Sequence, residues 1–390
     1  MVRKAQLQRC RGSQPLRRRV RRILGEAGSL EAGGRSEDAT PASSFPAFGI
    51  ALTDSKGEPH PQNIAIKKMK AVQVTEVGGP EVLVLREVPN PVPGKREVFI
   101  RIAASGVNFV DIYVRAGHYG SPLPFIPGQE AAGTIAAVGE DVTEVKVGDR
   151  VVWCAILGTY AEYAIAPADR VVAIPENLDF KQAAAAMLQG MTAHYLAHST
   201  YPIKKGDAVL IHAGAGGVGL LLTQIAKSLG ARVFTTVSTE FKAELSRGAG
   251  ADEVILYTEK DFAEEVRRLT SGQGVEVVYD SVGKTTFEQS LKSLRRRGTL
   301  VVYGSSSGAV PPFDLMQLVA FGSLYVTRPS LRDHSVTRSE LVTRATEIMS
   351  AIANGSLNLR IERTYPLADA AQAHQDLEGH KTTGKLLLVP

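Results

Sequence analysis

The chain has only two cysteines in 390 residues, Cys10 and Cys154. Two distant thiols cannot build a four-thiolate zinc lobe. Cys10 also lies in a stretch without element pattern, so no structural disulfide is expected and a reducing compartment is favoured. The histidines show no metal-ligand pattern. His194 and His198 stand four apart on an expected helix but lack the adjacent glutamate of a zinc-binding helix, and His374 and His380 have no ligand spacing. A core or surface role is expected for each. No apolar run reaches the roughly 18 residues a membrane span needs. An excess of basic charge is missing from the body as well. The net +5 of the chain conceals 13 Lys and Arg against 6 Asp and Glu in residues 1–68, which leaves residues 69–390 at −2. The body therefore has no basic stripe suited to nucleic acid.

Residues 1–68 are rich in Gly, Ser, Pro and Arg and read as a disordered basic extension. The first acid, Glu26, follows nine basic residues, and Leu16, Val20, Ile23 and Leu24 share one helical face among arginines. Three readings stay open: an organelle transit peptide, a solvated tail, or sequence upstream of a start at Met69, where the first convincing strand begins. The expected location is cytoplasmic, or mitochondrial or chloroplast if the segment targets.

From Met69 to about Pro175 short strand-like runs alternate with Gly and Pro turns, as in Val98–Ala103, Gly133–Val138 and Arg150–Cys154. That pattern predicts a β-rich, barrel-like domain. From Met191 to 324 strands alternate with helices: Ala208–His212, Arg232–Val237, Glu253–Leu256, Val275–Asp280 and Thr299–Tyr303. This spacing predicts an α/β fold with a doubly wound parallel sheet. The last 65 residues hold one helical stretch, Ser339–Ala353, and a terminal strand, Lys385–Val389, expected to return to the β-rich domain. The predicted division is 1–68, then 69–190 with 325–390, then 191–324.

The densest motif is His212-Ala-Gly-Ala-Gly-Gly-Val-Gly219. Gly214, Gly216 and Gly219 fit G-x-G-x-x-G between a strand and a helix, the context of a Rossmann dinucleotide site. Gly214 is expected to make the tight turn, Gly216 to admit the pyrophosphate, and Gly219 to let helix and strand close; Ala215, Gly217 and Val218 complete the loop. The acidic residue that binds ribose hydroxyls in NAD proteins is absent, because its position holds Val237. Ser238 and Lys242 follow and suit a 2′-phosphate, so NADPH is favoured. Glu240 takes the ribose role instead if the turn is one residue longer.

Further motifs are Gly78-Gly-Pro-Glu-Val82, Gly106-Val-Asn-Phe-Val-Asp111, Pro127-Gly-Gln-Glu-Ala-Ala-Gly133, Leu188-Gln-Gly-Met-Thr-Ala193, Val278-Tyr-Asp-Ser-Val-Gly283 and Leu324-Tyr-Val-Thr-Arg-Pro-Ser330. With these, Met69–Pro390 resembles the medium-chain dehydrogenase/reductase superfamily, and within it the zinc-free quinone oxidoreductases related to ζ-crystallin. The resemblance implies a Rossmann domain joined to a GroES-like catalytic domain, and a homodimer paired through the nucleotide domain. It places Asn108 and Gln129 where zinc-bearing relatives have a Cys and a His, so no metal is expected. It implies a nicotinamide-side loop with Asn108, Asp111, Tyr113, Arg115 and Tyr119. Tyr113 is the first choice of donor to the substrate oxygen and Asn108 the second, while Asp111 alternatively pins its loop. Gln189, Gly190, Met191 and Thr192 would line the domain junction. Tyr257 would stack on adenine, and Ser281, Tyr303, Gly304 and Ser305 would border the cofactor. Arg328 and Lys385 would supply basic groups near the cleft. Glu130 reads equally as an acid and as an ion-pair partner. The implied activity is NADPH-dependent quinone reduction; the alternative is reduction of activated C=C bonds in enones or enoyl thioesters. A third reading, a binding or structural protein, has the intact glycine motif against it.

Overall fold

The structure is a computed structural model that describes residues 67–390. The expected basic extension lies outside the described residues except for Lys67 and Lys68. Among the described residues no helix is long and apolar enough to cross a membrane.

Six parallel strands form one sheet: Ala208–Ile211, Arg232–Val237, Glu253–Leu256, Val275–Asp280, Leu294–Val302 and Tyr325–Thr327. Numbered along the chain, they lie in the spatial order 3-2-1-4-5-6. Both faces of the inner strands are covered, in keeping with their mostly apolar sequences. Val209, Val277 and Val301 pack on one side with Leu221, Leu222 and Ile225 of the helix Gly217–Ser228. Leu210, Val278 and Leu300 pack on the other with Val266 and Leu291. The order reverses between Ala208–Ile211 and Val275–Asp280, and a crevice opens beyond the carboxyl ends of strands at such a point.

The second sheet is built on the long strand Glu97–Val107, which pairs antiparallel with Glu130–Val138, Tyr163–Pro167 and Lys385–Val389. The C-terminal strand thus returns to the β-rich unit, as its apolar character implies. The helix Phe180–Tyr195, capped by Asp179 through the Gln182 N–H, joins the two cores. Ala183–Ala185 and Met187 pack in the β-rich core, and Ala193 and Tyr195 in the other. The helix Arg338–Ala353 lies against it. A Cβ at Gly190 would come within 2.6 Å of Ile348 Cγ2, so glycine there permits the close approach.

Three expectations are corrected. Tyr325–Thr327, expected with the β-rich part, pairs with Leu294–Val302 as the outer strand of the parallel sheet. The expected division at 190/191 falls inside the helix Phe180–Tyr195. The strand expected from Thr299 begins at Leu294. Arg295 Nε reaches Glu276 Oε1 of the neighbouring strand at 2.8 Å, and this cross-strand pair extends the pairing.

Candidate active site

A cleft of about 1360 Å³ lies at the crevice of the parallel sheet and is walled on the other side by the β-rich unit. One end of it is formed by the glycine turn. The left-handed residue of that turn is Ala213, with φ of 52°, rather than Gly214. Gly214 is required for a different reason: a Cβ there would lie 2.6 Å from Thr235 Cβ. At Gly219 a Cβ would meet the Ala213 carbonyl oxygen at 2.3 Å, so its absence lets the helix close on the turn itself. Ala215, Gly216, Gly217, Val218 and Gly219 line the cleft, and Gly214 sits behind them. The helix Gly217–Ser228 has no side-chain cap. Its first N–H groups and the positive end of its dipole are left for an anion.

One wall residue awaits a partner. Gln189 packs on Gly217, where a Cβ would lie 1.9 Å from Gln189 Oε1. That Oε1 is buried without a hydrogen bond. A buried acceptor beside an uncapped helix end fits a bound ligand with a donor at this place. Thr192 lines the same wall, whereas Met191 does not: it is fully buried in the β-rich core, one residue out of phase with the cleft.

At the end of the second parallel strand Val237 is buried. Ser238 and Lys242 follow as cleft residues, with Lys242 Nζ 3.3 Å from Ser238 Oγ. Glu240, the alternative ribose acid, is held by Arg247 instead. Tyr257 lines this end and is 52% exposed, leaving a ring face open. The residues present therefore fit a dinucleotide with a 2′-phosphate.

The short helix Phe109–Arg115 divides the catalytic candidates. Phe109, Val110, Tyr113 and Val114 form its cleft face, two i,i+4 pairs. The Tyr113 hydroxyl oxygen accepts the Ser305 N–H at 3.1 Å across the cleft, which leaves the phenolic proton unspent. Ser305 thus acts on Tyr113 and does not itself line the cleft, unlike Ser281, Tyr303 and Gly304. Tyr119 lines the cleft edge-on to Tyr113, with centroids 6.1 Å apart.

Asp111 and Arg115 point away. Arg115 is buried and donates to Glu378 at 2.6 Å and to His374 Nδ1 at 3.2 Å. Because arginine only donates, His374 carries its proton on Nε2 and gives it to the Tyr160 oxygen. Tyr160 in turn donates to Asp111 Oδ2 at 3.1 Å, and the same oxygen accepts the Asn108 N–H at 2.9 Å. Asp111 and Arg115 therefore pin the loop from behind. His194 is buried and bonds the exposed Glu347, and its ring neighbour His198 is exposed, so this pair takes no part in the cleft.

Asn108 lines the cleft, but its amide is committed, with Nδ2 donating to Glu130 Oε2 at 3.0 Å and Oδ1 accepting Lys385 Nζ at 2.7 Å. This corrects its role as second donor. Lys385 is fully buried and paired to Glu130 at 2.5 Å, so it is not a basic group of the cleft. Glu130 is thereby the ion-pair partner, and it also accepts the Leu188 N–H. Arg328 does line the cleft, 3.1 Å from the Gly304 carbonyl. Sequence reasoning missed Phe109, Leu157, Leu188, Ser306 and Ser307 as wall residues. Their position beside motif residues was the only signal for most of them.

The donor set does not suit zinc. An ammonium occupies the oxygen of Asn108 that a metal would need, and an amide stands at Gln129. Among the described residues no three His, Cys, Asp or Glu side chains are grouped to hold a metal.

Burial raises Asp111 to about 7, while the Asn108 N–H, Lys385 and Tyr160 pull it down. Its unfolded value is about 3.9, so the folded state binds this proton more tightly. That stabilisation is complete below about pH 4 and is lost as pH rises through about 7. From pH 5 to 8 the Asp111→Asn variant should gain on the order of 2 kcal/mol relative to the wild type. Urea unfolding at both pH values reads this; a constant difference would show that Asp111 is ionised throughout.

Residues 94–176 match the family described as alcohol dehydrogenase GroES-like domain, and residues 217–347 match zinc-binding dehydrogenase. The chain is 45% identical over 323 residues to the quinone oxidoreductase of Pseudomonas aeruginosa, covering 82% of this chain and 99% of that one. It is 43% identical over 329 residues to a 2-haloacrylate reductase of Burkholderia sp, covering 82% and 98%. A mycobacterial structure solved with NADPH is 52% identical, spans 83% of this chain and all of that one, and superposes with a TM-score of 0.81. Together with the two-sheet architecture and the glycine turn over the cleft, these matches show that the chain belongs to the ζ-crystallin-like quinone oxidoreductase family of the medium-chain dehydrogenase/reductase superfamily.

Proposed function

We propose that this protein is an NADPH-dependent, zinc-independent quinone oxidoreductase. The observation that carries the reading is one cleft that joins an uncapped helix N-terminus, the Ser238–Lys242 pair and the Tyr113 hydroxyl. NADPH, when bound, supplies a hydride from its nicotinamide. The chain's residues do the rest. Gly216–Gly219 receive the pyrophosphate, Lys242 and Ser238 the 2′-phosphate, and Tyr257 the adenine. Gln189, Thr192, Ser281, Tyr303 and Gly304 border the nicotinamide end, with Arg328 beside them. Tyr113 gives its proton to the acceptor oxygen as charge develops there, and the Ser305 N–H stabilises the phenolate left behind. A quinone needs no stronger electrophilic help, because its reduction makes an aromatic ring. Tyr119 walls the acceptor side.

The Tyr113→Phe variant should lower kcat with quinone about 30-fold. NADPH affinity should stay within about twofold, because the hydroxyl acts on the acceptor. Steady-state kinetics with a fluorescence titration of NADPH separate the two; unchanged kcat would remove Tyr113 from the chemistry.

Reduction of an activated C=C bond is the second reading, favoured by the identity to a 2-haloacrylate reductase. A homodimer fits the outer strand Tyr325–Thr327, which among the described residues has one neighbouring strand, beside exposed Leu315, Met316, Val319 and Tyr325. Sedimentation velocity reads that state. A reducing, cytoplasmic setting fits the free buried thiol of Cys154.

A further inference from the structure

The segment between the helix Ala370–Glu378 and the strand Lys385–Val389 runs along the cleft, where His380, Thr382 and Gly384 line the wall. It is tied to the glycine turn by the Gly384 N–H, which donates to the Ala215 carbonyl at 3.1 Å. One residue is mildly strained: His380, just past the helix C-cap Gly379, has φ of 53°, the left-handed conformation common at a helix end, with its N–H on the Leu377 carbonyl. Two longer-range contacts also hold it. The Lys242 ammonium donates to the His380 carbonyl at 2.8 Å. The imidazole stacks on Phe109, with centroids 6.2 Å apart and planes at 27°. Phe109 lies one turn before Tyr113 on the same helix, their rings 6.3 Å apart. Burial and the Lys242 charge lower the His380 pKa from its ordinary value, so the ring is neutral at neutral pH.

We propose that His380 is a positioning residue that couples the 2′-phosphate pocket to the helix carrying Tyr113, so that the 2′-phosphate raises turnover as well as affinity. The inference rests on the reading of Ser238 and Lys242 as the 2′-phosphate site. The donor count supports it. An ammonium has three N–H groups. One is on the His380 carbonyl, one on Ser238 Oγ, and the third is left for a phosphate oxygen. A phosphate there fixes the ammonium, and the ammonium fixes the carbonyl of a strained residue. The imidazole then holds Phe109, and with it the turn that presents Tyr113. With NADH the third N–H faces water, and the hold on His380 loosens.

The test measures kcat and Kd for NADPH and for NADH with one quinone, using the full chain. The variants are Lys242→Ala, His380→Ala and His380→Phe. Lys242→Ala should weaken NADPH binding about 30-fold, as loss of a charge-assisted contact does. It should also bring kcat with NADPH down to that with NADH. His380→Ala should lower the NADPH-to-NADH ratio of kcat about fivefold. His380→Phe, which keeps a ring on Phe109, should restore the ratio. If the alanine variant folds poorly, His380→Gly fits the left-handed backbone and gives the same comparison. An equal loss with both cofactors, or none, overturns the coupling alone. An unchanged Kd for NADPH in Lys242→Ala overturns both the coupling and the phosphate reading.

Discussion

Gly219→Ala should lose NADPH binding by about 100-fold or more, roughly 2.7 kcal/mol or above. The added methyl would lie 2.3 Å from the Ala213 carbonyl oxygen and 3.0 Å from Gly214 Cα. Both neighbours are backbone, so no side chain can rotate away. The first turn of the helix Gly217–Ser228 must then shift from the glycine turn, and the N–H groups that receive a pyrophosphate lose their common aim. Gly216→Ala is the control. Its Cβ would meet only the Ala213 oxygen at 3.2 Å and Ala213 Cβ at 3.9 Å, so the fold should tolerate it. Gly216 nevertheless lines the cleft, and a methyl there stands in the way of the phosphates. Both variants should therefore bind NADPH poorly, and only Gly219→Ala should also melt lower. Calorimetric titration and thermal unfolding read the two effects. Wild-type affinity in Gly219→Ala would mean that the glycine turn is not the phosphate site.

Lys385→Met should cost about 3–5 kcal/mol of stability, the penalty for stranding a buried charge. Lys385 and Glu130 are both fully buried, and among the described residues the ammonium is the only cation on the Glu130 carboxylate. The remaining partners of Glu130, the Asn108 amide and the Leu188 N–H, are neutral. Adding Glu130→Gln to Lys385→Met should recover much of the loss, since the amide oxygen still accepts the Leu188 N–H without a charge to compensate. Urea unfolding of the single and double variants decides this. If the double variant is as unstable as the single one, packing rather than charge holds the site. Activity should fall in the single variant as well, because Glu130 ties Asn108 and the Leu188–Gln189 wall together.

The parallel sheet was legible because its strands are short, mostly apolar runs set between helical stretches. Arg232–Val237, Glu253–Leu256 and Val275–Asp280 have the limits expected from the sequence. The glycine-turn end of the cleft was legible for a related reason: Ala215–Gly219, Ser238 and Lys242 line it from the turns and first helical turns just beyond strand ends, where order along the chain is also order in space. The substrate end was not. Asn108, Asp111, Tyr113 and Arg115 are consecutive enough to be taken as one loop, but a helix turns Tyr113 into the cleft and Asp111 and Arg115 out of it. Met191 and Thr192 part in the same way. Lys385 is a matter of pairing: its strand lies beside Glu97–Val107, and this brings the ammonium to Glu130 and Asn108, which nothing local announces. The bond from Lys242 to His380 spans 138 residues and was invisible for that reason.

The central claim is tested most directly by following NADPH oxidation by the full chain with a panel of acceptors. The panel holds a para-quinone, an ortho-quinone, an enone and 2-chloroacrylate, each with and without EDTA, and NADH replaces NADPH in a parallel series. The account predicts quinone turnover that prefers NADPH, is indifferent to EDTA and exceeds turnover of the alkenes. Turnover confined to the alkenes, or abolished by EDTA, would contradict it.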